Sequence, residues 1–251
     1  MSRLSNVLND VISSVSQDVL PVDGFHPLDL DPFQLIHSFD ESSITQAGGF
    51  ASQIDDLTVN GNHYVQGTGA NQPAVITNAV NGKTVLRNAG GDYMTCNNLG
   101  INGLTDVSIL TVYKIDASTS GYDALISMGS GSECRIEVNP TTPTARVQNA
   151  GIDSNNETYW TNTFDEYQTS IIATNGSPDF NNKGYLEGVE TRSRSNLGAW
   201  TTGAGDYAIM ACNDGARGQV GDFVARAVFK RKITLDEVTN LTNYYNSILG
   251  K

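Results

Sequence analysis

The sequence predicts an all-β protein, a sandwich or barrel of antiparallel sheets finished by one short helix. Three observations point there. Short apolar stretches recur from Ile36 to Phe229, turn clusters rich in Gly, Asn, Asp and Pro separate them, and no long helical period intervenes. The composition agrees, since 25 glycines and only 17% charged residues in a chain of 251 make a β-rich profile.

The first element stands apart from that pattern. Leu4, Val7, Leu8, Val11, Ile12 and Val15 fall at steps of three and four, one apolar face of a helix that Pro21 closes. Ser, Asn and Asp between them are mediocre helix formers, so this helix needs a partner surface, either the chain's own body or another subunit. Pro21, Pro27 and Pro32 then favour an extended, semi-rigid connector, and residues 1–32 are expected to act as a docking arm, with Phe25 and Phe33 among its apolar contacts.

Strands are expected at Thr84–Arg87, Val107–Ile115, Ala124–Met128, Cys134–Val138, Ala145–Gln148, Gln168–Thr174, Gly184–Val189, Tyr207–Ala211 and Phe223–Phe229. The run "DVSILTVYKID" is apolar enough for a central strand covered on both faces. Lys230, Arg231 and Lys232 read as a solvated turn. Thr234 and Glu237 then form a T-x-x-E capping box worth about 1 kcal/mol, Val238, Leu241, Tyr245 and Ile248 give one inward face, and Gly250 ends the helix.

A net charge of −12 opposes a nucleic-acid groove or an anionic membrane as the main partner. No apolar run is long enough for a membrane span. Cys96, Cys134 and Cys212 are too few and too scattered for a disulfide framework or a zinc site, and read as small buried thiols of a protein made in a reducing cytoplasm.

Catalytic signatures are scarce. "NGKT" has Thr77 where a phosphate loop requires its first glycine, and "GAGDYA" leads into a strand rather than opening a helix. There is no nucleophile elbow and no H-E-x-x-H. Glu187 and Glu190 lie three apart, on opposite faces of a strand, and do not make an acid pair. The chain is therefore expected not to be an enzyme. Tyr122, Tyr159, Trp160 and Trp200 lie in polar segments, where each either stacks on a sugar ring or plugs an end of the sandwich. Asn213 and Asp214 in "NDGARG" are weak oxygen ligands for calcium, and no cofactor is otherwise expected.

Several phrases, in order, resemble one family: Asp40–Thr45, Ile54–Asn62, Gln72-Pro73, Asn81-Gly82, Gly91–Tyr93, "YLEGVE" and the closing strand, cap and helix. Together they are similar to the laminin-G-like, concanavalin A-like modules of bacteriophage virion proteins and bacterial surface proteins. The resemblance covers residues 33–251 and implies a two-sheet jelly-roll sandwich; Ile54 and Leu57-Thr58 depart from its Trp and Ser-Gly positions. With the arm, it implies a virion structural protein (a capsid decoration, head-fibre or tail-associated subunit) displayed on the virion surface, bound to other virion proteins and to copies of itself. A carbohydrate-binding module recognising host surface glycans is the alternative, since this fold hosts both.

Overall fold

The computed structural model describes residues 24–97, 99–117, 123–129, 134–139, 141–149, 158–175, 181–195, 202, 205–212 and 215–251. The six apolar positions of the N-terminal helix face, Leu4 to Val15, lie outside these residues.

The strands are β1 (Gln34–His37), β2 (Ile44–Ala47), β3 (Phe50–Ile54), β4 (Tyr64–Val65), β5 (Ala74–Val80), β6 (Lys83–Ala89), β7 (Met94–Cys96) and β8 (Ser108–Ile115). There follow β9 (Asp123–Met128), β10 (Cys134–Val138), β11 (Thr144–Asn149), β12 (Thr158–Thr161), β13 (Tyr167–Asn175), β14 (Asn181–Leu186), β15 (Val189–Ser195), β16 (Tyr207–Ile209) and β17 (Val220–Phe229). Helix α1 spans Leu235–Leu249.

Among the described residues every strand-to-strand ladder is antiparallel, the isolated bridge Ala124↔Gly218 alone being parallel. One run goes β15–β14–β13–β8–β17, where β17 pairs with β1 and β6 along its other edge and β6 pairs with β5. The other goes β12–β11–β10–β9–β16–β7–β4–β3–β2. The pair Phe50↔Ala74 joins them, seconded by the isolated bridge Ile36↔Asp56, so the two runs are one sheet folded over into a nearly closed, barrel-like form rather than two separate sheets.

Period-two alternation explains the packing. On β8, Ile109, Tyr113 and Ile115 point between the two runs, while Leu110 and Val112 point outward beneath α1. The expected double-faced strand is thus real, and α1 is what covers its second face. Val238, Leu241, Tyr245 and Ile248 are all buried against Val112, Ile171 and Ala227. Each such side chain contributes roughly 1.5–3 kcal/mol of transfer free energy. The cap is as expected: Thr234 Oγ1 accepts from Glu237 N at 3.2 Å, Thr234 N donates to Glu237 at 2.7 Å, and Gly250 closes the helix at φ 75°.

Three expectations need correction. Gly184–Val189 is not one strand: Glu187 and Gly188 take φ of 50° and 77°, the left-handed pair of a two-residue hairpin turn between β14 and β15. The proline connector is not extended at Pro27–Leu30, which forms a 3₁₀ turn whose first amides are capped by His26; proline's φ suits that first turn as well as an extended chain. The basic turn is not simply solvated. Arg231 makes a two-pronged contact with Glu237 at 2.7 and 2.9 Å and reaches Leu30 O at 3.0 Å, and Lys230 Nζ sits 3.4 Å over the Phe33 ring.

Candidate binding site

The outward face of the second run carries a shallow pocket of about 400 Å³, lined by Val65, Gln66, Gly67, Tyr93, Thr95, Gly205 and Asp206. Strand register builds it. Val65 and Ala208 pair with Thr95 from either side, so Val65 and Thr95 share the outer face, while the neighbouring Tyr64, Met94 and Cys96 turn into the core. Gly205 and Asp206 immediately precede β16 and form one rim.

Tyr93 precedes β7 and forms the other rim. Its amide donates to Asn71 O at 3.1 Å, and its carbonyl accepts from the buried Gln66 Nε2 at 3.0 Å. Gln66 is itself braced, its Oε1 taking the Thr68 amide at 2.9 Å. The Tyr93 ring rests on Gly215, where a Cβ would come within 3.0 Å of the ring and where φ is 80°. Glycine is required there for both reasons. The pocket therefore offers a half-buried aromatic ring, the exposed apolar Val65, the hydroxyl of Thr95 and the carboxylate of Asp206.

The residues singled out by sequence fall elsewhere. Tyr159 and Trp160 are only 2% and 3% exposed. Trp160 Nε1 donates to Tyr113 Oη at 3.0 Å and Asn162 Oδ1 at 3.1 Å, and the Tyr159 ring packs on Gly184. A bulge places both aromatics inside: Ala145 pairs with Trp160 and Arg146 with Thr158, leaving Tyr159 as the extra residue. Simple alternation would have sent one of them outward. Neither presents a ring face to a ligand. Tyr122, Trp200, Asn213 and Asp214 lie outside the described residues, and among those described no three acidic, His or Cys side chains group to hold a metal.

Phe25 and Phe33, expected to dock the arm on a partner, pack on the protein itself. Phe25 meets Tyr244 of α1 edge-on at 6.2 Å, and Phe33 lies against the core under Lys230. His26 and His37 also join this seam, with His37 Nε2 2.8 Å from Tyr245 Oη. Burial drives the His37 pKa well below its usual 6.5, and the neighbouring His26 pushes it the same way.

Two ionic clusters lie apart from this pocket. Arg87 and Lys114 face Asp116 and Asp222 across β6, β17 and β8, and Tyr167 Oη donates to Asp222 at 2.6 Å. The two cations and two carboxylates cancel. Glu137, fully buried, lies between Arg146 and Arg217. Both are explained as cross-strand braces.

No protein-family model matches the chain, and no curated protein matches it. Solved structures do. Trypanosoma rangeli sialidase in complex with sialic acid aligns with TM-score 0.62 at 11% identity over 98% of this chain and 40% of its own. Domain 4 of AbnA, a GH43 extracellular arabinanase from Geobacillus stearothermophilus, in complex with arabinotriose, aligns at 0.56 and 16% identity, over 84% of this chain and 98% of the domain. The binding domain of Paraclostridial Mosquitocidal Protein 1 aligns at 0.59 and 12% identity, over 86% and 52%. The chain shares an all-β fold with these structures. It spans about two fifths of the length of the sialidase chains it matches. Nothing in these likenesses supports a laminin-G-like family assignment or a bacteriophage setting.

Proposed function

We propose that the protein is a carbohydrate-binding β-domain that holds a neutral glycan in the Tyr93 pocket without chemically altering it. The pocket is the observation that carries this reading. Sugar rings alternate C–H patches with hydroxyls, and Tyr93 with Val65 suits the former while Asp206 and Thr95 suit the latter. Its volume falls within the roughly 300–1,000 Å³ usual for small-ligand sites. Neutrality follows from the lining: among the described residues Asp206 is its only charged member, with no Arg or Lys beside it, and the chain as a whole carries −12. The arabinotriose-bound arabinanase domain, matched over nearly its whole length, lends support from the fold.

A glycan array followed by calorimetry on the full chain tests the reading. Neutral oligosaccharides should bind, and Tyr93→Ala, with an unchanged far-UV spectrum, should weaken binding by about tenfold, the loss of one stacking contact. Failure of the intact protein to bind any neutral glycan would overturn it.

A further inference from the structure

The largest fully buried side chain among the described residues is that of Arg226 on β17, enclosed between the two runs of the sheet. Among the described residues no carboxylate forms an ion pair with it. Its Nη1 donates to Tyr64 Oη, and its guanidinium carbon lies 5.6 Å from the Tyr64 ring centre. Its Nε and Nη2 have no hydrogen-bond partner. Burying a cation in this way costs several kcal/mol unless charge and hydrogen bonds are returned to it.

The neighbours do not return them. The Tyr64 hydroxyl neighbours Cys96, whose Sγ receives Gln34 Nε2 at 3.6 Å. Burial keeps the Cys96 thiol protonated by pushing its pKa up, so it supplies no negative charge. Thr111, which pairs with Arg226 across β8 and β17, is buried with its hydroxyl unpartnered as well. Gln34 Oε1 is an unmet acceptor and the Thr111 hydroxyl can accept as well as donate, but neither carries a negative charge. The imbalance is one uncompensated positive charge.

We propose that the interior holds a small monovalent anion of halide size, bound by Arg226 Nε and Nη2 with help from the Thr111 hydroxyl. A monovalent anion restores neutrality, whereas a divalent one would leave a buried negative charge. A halide also accepts several donors at once without offering protons of its own.

Thermal and urea unfolding of the full chain, at constant ionic strength with chloride or bromide exchanged for gluconate, tests this. The folded-to-unfolded ratio should rise about tenfold for each tenfold increase in halide above its dissociation constant, because only the folded state binds. Arg226→Met should abolish that dependence. In crystals of the unmodified protein grown with bromide, anomalous density should appear beside Arg226, a readout that does not require the variant to fold. Stability indifferent to halide, or anomalous maps empty at Arg226, would overturn the proposal in favour of an internal water.

Discussion

Replacing Trp160 by Phe keeps an aromatic ring in the core but removes the indole N–H, which separates a structural role from a ligand-stacking one. In the folded protein that N–H serves two buried acceptors, Tyr113 Oη and Asn162 Oδ1. Tyr113 still donates to Asn162 in the variant, so the loss is of one shared donor rather than of the whole network. Losing a buried hydrogen bond and leaving its acceptor unmet costs about 1–2 kcal/mol. The smaller ring leaves a partial void, for which a further ~1 kcal/mol is reasonable. The sum, about 2–3 kcal/mol, is readable as a shift in urea midpoint at constant slope. Glycan affinity of the folded variant should not change. Destabilisation below about 0.5 kcal/mol together with lost glycan binding would refute the burial argument and return Trp160 to the ligand.

Two pH effects follow from the seam beneath α1. Arg231 beside Glu237 holds its carboxyl below the usual 4.5, so on acidification the unfolded chain is protonated first; the pair's stabilisation is present above about pH 4.5 and is lost as pH falls through the lower folded value. Glu237→Gln should flatten the acid limb of a stability-against-pH curve, and parallel limbs would count against the pair. For His37 the depressed pKa again means that the unfolded chain takes the proton first, so stability is complete above about 6.5 and declines below it. Urea midpoints between pH 7 and 5 should fall less steeply in His37→Gln, since that variant cannot take up the extra proton on unfolding.

Much of the fold was legible in local signals. The strand Val107–Ile115 announced burial on both faces by its unbroken apolar run, and the α1 cap was written in Thr234, Glu237 and Gly250, because helix ends and strand faces depend on nearest neighbours. The candidate site was not legible in the same way. Tyr93 sat in a turn-like "GGDYM", and only its placement beside Val65, 28 positions earlier, and Asp206, far later in the chain, makes it part of a pocket. Trp160 misled for a related reason: a bulge against β11 reverses the face that alternation assigns, and a bulge belongs to a pair of strands rather than to either one.

The amino-acid sequence by itself thus determined the all-β class, the terminal helix and its inward face, and the acidic balance that disfavours polyanionic partners. Tertiary structure alone decided which aromatics face solvent, that Phe25 and Phe33 rest on the protein's own body, that Phe50↔Ala74 and Ile36↔Asp56 join both runs into one sheet, and that a lone guanidinium lies between them. The division has a physical cause. Propensity, periodicity and capping act over a few residues, whereas burial and charge compensation are set by groups that the chain brings together from distant positions.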